Sequence, residues 1–171
     1  MKKTKTEQAG EDLFNFAIDR SDTKTLMAHL HKEAIINRTK VEYELQILRI
    51  VSVGWGISYY LENAAYKNDL VQLYWMGIHE FSQDISSTSG LLIDKDIDYF
   101  QILKDRLDTY LKTLYQGKKT PDPVMVIGPK FAEICGNGDD IFTIMTGSRM
   151  FSTALGGVKE CLNLLSSKES L

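Results

Sequence analysis

The chain has 171 residues, of which 43% are hydrophobic and 25% are charged, a composition that predicts a folded single domain and disfavours disorder or a membrane protein. A net charge of −3, without any stripe of clustered Lys and Arg, argues against binding of nucleic acid or of an anionic membrane. No apolar stretch follows the basic start Met1–Lys5, so secretion is not expected and the sequence predicts a cytoplasmic protein.

The first two predicted elements are helices. Apolar residues at three- and four-residue spacing predict a helix over about residues 8–20. Ser21 or Asp22 then offers a side-chain oxygen that would cap a second helix. The chain ends, residues 1–8 and 166–171, are expected to be frayed.

A longer third helix is predicted over about residues 39–65, but it contains a competing signal. Between residues 51 and 61 apolar or aromatic side chains alternate with Ser and Gly, which is the period of a β-strand. Helix is favoured because the flanking segments are good helix formers and a lone strand would have no partner. In a helix, Ser52 and Gly56 lie one turn apart, and small residues at that spacing let another helix approach closely.

The fourth and fifth helices follow. Asn68 or Asp69 starts the fourth, which is expected to end in the Ser-rich run 86–90. Asp94 or Asp96 is expected to cap the fifth, which has the most regular amphipathic pattern in the chain. Its apolar positions are Ile97, Phe100, Leu103, Leu107, Leu111 and Leu114.

Two further helices complete the chain. Asp122 followed by Pro123 is typical of an N-cap with proline at the first helical position. The last helix begins near Asp139, and its apolar positions form a heptad with one polar member, Ser148. This helix is predicted to be central in the fold or to be shared with a second copy of the chain. The candidate oligomer interface is Ile144, Phe151, Leu155, Val158 and Leu162. Together the elements predict an all-α fold, a single-domain bundle of about five to seven helices.

Few residues in the sequence point to chemistry. Cys135 and Cys161 stand alone, without a CxxC motif or a histidine at metal spacing, and are predicted to be reduced, with a disulfide or ligand role as the alternative. Motifs for phosphate binding, hydrolase nucleophiles and zinc or calcium sites are missing from the sequence. No metal site, cofactor or catalytic residue is therefore predicted.

One candidate ligand pocket follows from the predicted helix pairing. If the third and fourth helices form an antiparallel hairpin around residues 66–68, Trp55 lies beside His79 and Tyr59 lies beside Trp75. The candidate pocket is Trp55, Tyr59, Trp75, His79 and Glu80. Aromatic walls with one imidazole suit a flat ligand or cofactor. The alternative is that His79 is a core histidine stacked on a tryptophan and that the aromatic rings only fill space.

Two hypotheses for function remain at this stage. The first is a small intracellular binding protein that acts by self-association as a homodimer or by binding a protein partner. The second is a protein that binds a small molecule or cofactor, a class that includes enzymes. Its binding site would be the aromatic and histidine pocket between the third and fourth helices. Neither nucleic acid nor a membrane is predicted as a partner, and binding is favoured over catalysis.

Overall fold

A computed structural model describes residues 3–32, 36–93, 96–116 and 122–167, and in these ranges the chain forms seven α-helices and no strand. The predicted all-α bundle is therefore confirmed. The helices are α1 (Lys5–Ile18), α2 (Ser21–His29), α3 (Arg38–Tyr60), α4 (Lys67–Ile93), α5 (Tyr99–Tyr115), α6 (Pro123–Ile134) and α7 (Ile141–Ser167).

Helix α3 is the central element of the described fold, because it contacts all six other helices. The segment of Ser and Gly alternation is helical, so the competing strand interpretation is wrong. The small residues serve the close approach that the sequence predicts. A Cβ on Gly56 would lie 3.0 Å from the Leu155 Cδ2 atom of α7, so the two helices meet at van der Waals distance there.

The Arg49 guanidinium joins α3 to three other helices. Arg49 is only 1% exposed. Its Nε donates to the Phe16 carbonyl of α1 at 2.9 Å, and its Nη1 donates to Asp22 of α2. The guanidinium carbon lies 4.2 Å from the centre of the Phe16 ring, and Nη1 approaches the Met150 sulfur of α7. Burying a charge costs free energy unless the charge is paired and hydrogen-bonded. The buried Arg49 guanidinium therefore needs these contacts.

A second ion pair joins α3 to α5. The Glu44 carboxylate is buried and accepts two hydrogen bonds from Arg106, one from Nε at 2.8 Å and one from Nη2 at 2.6 Å. This two-pronged geometry is the strongest that an arginine and a carboxylate form. Hydrogen bonding to Glu44 raises the pKa of the Arg106 guanidinium, so Arg106 keeps its charge.

Several helix starts differ from the sequence prediction. Helix α1 begins at Lys5 because Thr4 and Glu7 form a reciprocal capping box, so residues 5–8 are helical rather than frayed. Helix α2 follows Arg20 without a side-chain cap, so neither Ser21 nor Asp22 is its N-cap.

The later helix starts agree in part. The Asp98 side chain caps α5 by accepting from the Gln101 N–H at 2.9 Å, whereas Asp96 precedes the cap and Asp94 lies outside the described residues. The prediction for α6 is confirmed, since Asp122 accepts from the Val124 N–H at 3.1 Å.

Helix α4 runs past its predicted end in the Ser-rich segment 86–90 and continues to Ile93. The hydroxyl of Ser86 donates to the Ser82 carbonyl, and the hydroxyl of Thr88 donates to the Asp84 carbonyl, both at 2.8 Å. Each side chain thus bonds to the preceding helical turn, so the polar run stays compatible with helix.

Helix α7 is covered by other helices of the same chain. Phe151, Val158 and Leu162 of the candidate oligomer interface are buried in the core, and Ile144 and Leu155 are half-buried. In this fold the three buried residues of the candidate interface are not accessible to a second copy of the chain. The physical reason is that α3, α6 and α1 all pack on the apolar face of α7. None of the helices in the described ranges has the length and apolar character that crossing a bilayer requires.

Two adjacent glycines in α7 have opposite surroundings. A Cβ on Gly157 would lie 2.7 Å from the Phe16 Cε1 atom, whereas a Cβ on Gly156 would meet nothing within 4 Å. We expect Gly157→Ala to lower the free energy of unfolding by about 1–3 kcal/mol, because the Phe16 ring under Arg49 must shift. Gly156→Ala is the matched control and should raise it by about 0.5–1 kcal/mol through helix propensity. Urea unfolding measures both, and equal effects of the two substitutions would contradict the close packing of α1 on α7.

Candidate functional site

A pocket of about 520 Å³ lies between α3, α4 and α5. We call it the aromatic pocket. Its lining residues are Gly54, Trp55, Ser58, Tyr59 and Glu62 from α3 and the turn after it, Lys67 and Trp75 from α4, and Leu107, Leu111 and Tyr115 from α5.

Two stacked rings on α3 form the first wall. Trp55 and Tyr59 are one helical turn apart, so their side chains lie on the same face of the helix. Their ring centres are 4.7 Å apart and their planes differ by 20°. Trp55 is supported from behind by Phe151 of α7, whose ring centre is 5.6 Å away. Tyr59 is 55% exposed, so it stands at the mouth of the pocket.

The second wall is Trp75 of α4, and its position depends on Gly54. A Cβ at Gly54 would lie 2.9 Å from the Trp75 Cε2 atom, so the indole rests directly on the backbone of α3. The register is held next to it by Tyr74, whose hydroxyl donates to the Ile50 carbonyl at 2.7 Å. Burial raises the pKa of Tyr74 well above its usual value, so this donor keeps its proton.

The third wall comes from α5 and is mostly aliphatic. Leu107, Leu111 and Tyr115 follow one another at four-residue spacing and therefore share one face of the helix. The Glu44–Arg106 ion pair holds this helix against α3.

Charged groups occur only at one end of the lining. Glu62 and Lys67 bracket the turn between α3 and α4 and bring a carboxylate and an ammonium group to the pocket. The remaining lining side chains are aromatic, aliphatic or small. The pocket can therefore stack on a flat apolar molecule along its length and hydrogen-bond a polar substituent at the Glu62 and Lys67 end.

The structure brings together Trp55, Tyr59 and Trp75, but it leaves His79 and Glu80 outside the aromatic pocket. The His79 ring meets Phe100 of α5 edge-on, with centres 4.8 Å apart, and its Nε2 lies 3.4 Å from the Gln83 amide nitrogen. The prediction that His79 lies beside Trp55 is wrong. The core-histidine alternative is also wrong, because His79 is exposed.

Glu80 points to a different groove. It lies between α1 and α4 beside Phe14, together with Glu7 and Asp84. On a helix, residues 79 and 80 are about 100° apart, so His79 and Glu80 face different neighbours.

The register of the hairpin explains the error. The predicted turn is centred on residues 66–68, whereas α3 ends at Tyr60 and α4 begins at Lys67. The connection between α3 and α4 therefore lies about one helical turn earlier in the sequence than predicted. As a result Trp75 packs on Gly54, whereas the predicted connection would have placed it beside Tyr59. The same shift moves His79 away from the aromatic residues of α3.

Sequence reasoning missed the contribution of α5 to the site. Leu107 and Leu111 are correctly assigned to the apolar face of α5, but periodicity does not say which helix covers that face. One signal was present. Glu44 and Arg106 each interrupt an apolar stripe with a charge, and such charges are expected to pair when buried.

Within the described ranges, no group of three or more His, Cys, Asp or Glu side chains is arranged to hold a metal ion. Comparison of the chain with family models, with curated proteins and with solved structures finds no match in any of the three. Function is therefore inferred from the geometry of the site.

Buried tyrosine hydroxyls and a buried thiol in the core predict a loss of stability at alkaline pH. Burial raises the pKa of Tyr74, Tyr99 and Tyr110, and raises the pKa of the Cys135 thiol to about 12. In the unfolded chain these groups lose protons from about pH 9 to 10, while the folded protein retains them. The unfolded state then binds fewer protons, so stability is fully present below that range and falls as the pH rises.

We expect the free energy of unfolding to fall by about 1 kcal/mol per pH unit for each such group above about pH 10. Urea unfolding from about pH 8 to pH 11 measures the slope. Tyr74→Phe removes one of these groups and should therefore make the slope of the free energy of unfolding against pH less steep. A free energy that is constant or rises over this range would show that the buried hydroxyls titrate normally.

Proposed function

We propose that this protein binds a small, flat, largely apolar molecule in the aromatic pocket. The observation that supports the proposal is the convergence of three aromatic side chains from two helices, Trp55, Tyr59 and Trp75, on one open space of about 520 Å³. Ligand pockets of proteins typically measure about 300–1,000 Å³ and are lined mainly by apolar and aromatic groups.

The chemistry of the walls defines the ligand class. Aromatic faces favour a ring system, because offset stacking adds to the free energy of apolar burial. Glu62 and Lys67 at one end favour a ligand with a polar substituent directed there. We therefore propose a planar aromatic or heteroaromatic compound with one polar end.

Binding is favoured over catalysis by the identity of the lining groups. Apart from tyrosine hydroxyls, the titratable side chains in the lining are Glu62 and Lys67, and Glu62 is exposed. General acid–base chemistry usually depends on groups whose protonation is tuned by burial or by charged neighbours. We also propose a cytoplasmic location, because Cys135 is a buried free thiol, a state that a reducing compartment preserves.

Naphthalene is a suitable probe for the aromatic pocket. We expect saturable binding in equilibrium dialysis, and we expect Tyr59→Ala to weaken it about three- to tenfold through loss of a stacking surface. Tyr43→Ala is the matched control, because Tyr43 is also a partly exposed tyrosine on α3 but contacts Tyr99 outside the pocket. His79→Ala should also leave the affinity unchanged. Absence of saturable binding, or an equal loss in all three variants, would refute the proposal.

A second candidate function is self-association through the start of α7. Ile141, Phe142 and Met145 are 61%, 47% and 45% exposed, although each is large and apolar. Exposed apolar patches of this kind often mark interfaces between proteins. This surface differs from the candidate interface predicted from the sequence. Association through it would leave the core intact.

Sedimentation velocity tests the second candidate. We expect a homodimer in the wild type and a shift to monomer in Met145→Glu, because a buried unpaired charge opposes association. Thr153→Glu adds the same charge at an exposed position of α7 and is the control. A wild type that stays monomeric over a wide range of concentrations would eliminate this candidate.

A further inference from the structure

Lys67, at the charged end of the aromatic pocket, differs from the other cations that the fold shields from solvent. It is half-buried, but its ammonium group has no ion pair or hydrogen bond with any residue that the structure describes. The other buried or half-buried arginine and lysine side chains in the described ranges all bind oxygen atoms of the chain. They are Arg38, Arg49, Arg106 and Lys130. Lys67 therefore keeps a cationic group available at the pocket.

Glu62 supplies a second unpaired charge at the same end of the pocket. It lies on the other side of the turn between α3 and α4, and its carboxylate has no partner among the described residues. The two side chains do not form an ion pair with each other. A carboxylate and an ammonium group near the surface gain little free energy by pairing, because water solvates both. Both groups therefore stay available to a ligand.

A ligand with a single charge does not suit this end of the pocket. A carboxylate bound at Lys67 would lie near the Glu62 carboxylate, and an ammonium group bound at Glu62 would lie near the Lys67 ammonium. Like charges at short range oppose binding. A ligand that carries both an ammonium and a carboxylate group complements both side chains.

The spacing between the rings and the charged end determines where the ligand carries these groups. On α4, Lys67 and Trp75 are eight residues apart, about 12 Å along the helix axis. The flexible stem of Lys67 spans part of this distance. A ring that stacks on Trp75 therefore reaches the charged end through a short aliphatic chain, rather than through charged groups attached directly to the ring.

We propose that the ligand of the aromatic pocket is an aromatic α-amino acid. Its ring stacks among Trp55, Tyr59 and Trp75, its carboxylate pairs with Lys67, and its ammonium group pairs with Glu62. An α-amino acid carries both charges on one carbon atom and its ring on the adjacent carbon, which is the arrangement that the pocket complements. This inference rests on the proposed function, because it names the ligand class of the same pocket.

Four indole compounds test the inference in equilibrium dialysis at neutral pH. Tryptophan carries both charges, tryptamine lacks the carboxylate, indole-3-propionate lacks the ammonium group, and indole lacks both. We expect the wild type to bind tryptophan about three- to tenfold more tightly than indole, the effect of two partly exposed ion pairs.

Two substitutions assign each charge to its partner. Lys67→Met should weaken the binding of tryptophan and of indole-3-propionate about two- to fivefold, without weakening that of tryptamine. Glu62→Gln should weaken the binding of tryptophan and of tryptamine by a similar factor, without weakening that of indole-3-propionate. Lys40→Met and Glu80→Gln are the matched controls, because they remove exposed charges of α3 and α4 outside the pocket. An unchanged affinity for indole shows that the pocket of each variant is intact.

The outcomes separate this inference from the proposed function. If tryptophan binds no more tightly than indole, or if either Lys67→Met or Glu62→Gln leaves its affinity unchanged, the amino acid class is refuted. Saturable naphthalene binding would still support the aromatic pocket in that case. If neither naphthalene nor any of the four indole compounds binds, both proposals fail.

Discussion

Two charged side chains on the central helix have to be compensated inside the protein, and their compensation places the surrounding helices. Arg49 is bound by the Phe16 carbonyl and by Asp22, and Glu44 is bound by Arg106. The two charged residues are five positions apart, about 140° around the helix axis, so they reach opposite neighbours. Arg49 thereby holds α1 and α2, and Glu44 holds α5. Removing one partner would leave a buried charge unpaired, which costs far more than an exposed ion pair is worth.

The aromatic pocket is a consequence of this arrangement. The Glu44–Arg106 pair joins α5 to the N-terminal half of α3, while the pocket lies along the C-terminal half, from Gly54 to Glu62. On the opposite side of the pocket, Gly54 lets α4 approach until Trp75 rests on the backbone of α3. Helix α5 is therefore held by an ion pair and helix α4 by close packing. The space between them is lined by the aromatic rings of α3 and α4.

Most buried polar groups of the described core have hydrogen-bond partners within the chain. The hydroxyls of Tyr74, Ser82 and Thr146 each donate to a backbone carbonyl. The Ser52 and Tyr110 hydroxyls and the Asn137 amide nitrogen have no partner within the described residues. A buried polar group without a partner loses its hydrogen bonds to water without compensation, so these three positions lower the stability of the fold.

The sequence by itself determined the all-α class, the helical state of residues 51–60 and the cap at Asp122. Each of these depends on local periodicity or on capping chemistry, which the sequence displays directly. Only the tertiary structure decided that His79 faces α5, that α5 completes the pocket, and that Phe151, Val158 and Leu162 are covered within one chain. Periodicity identifies the apolar face of a helix but not the helix that covers it. The misplaced turn changes the partner of Trp75 from Tyr59 to Gly54, a shift of five residues or about 7.5 Å along the helix axis, which is enough to replace every predicted neighbour.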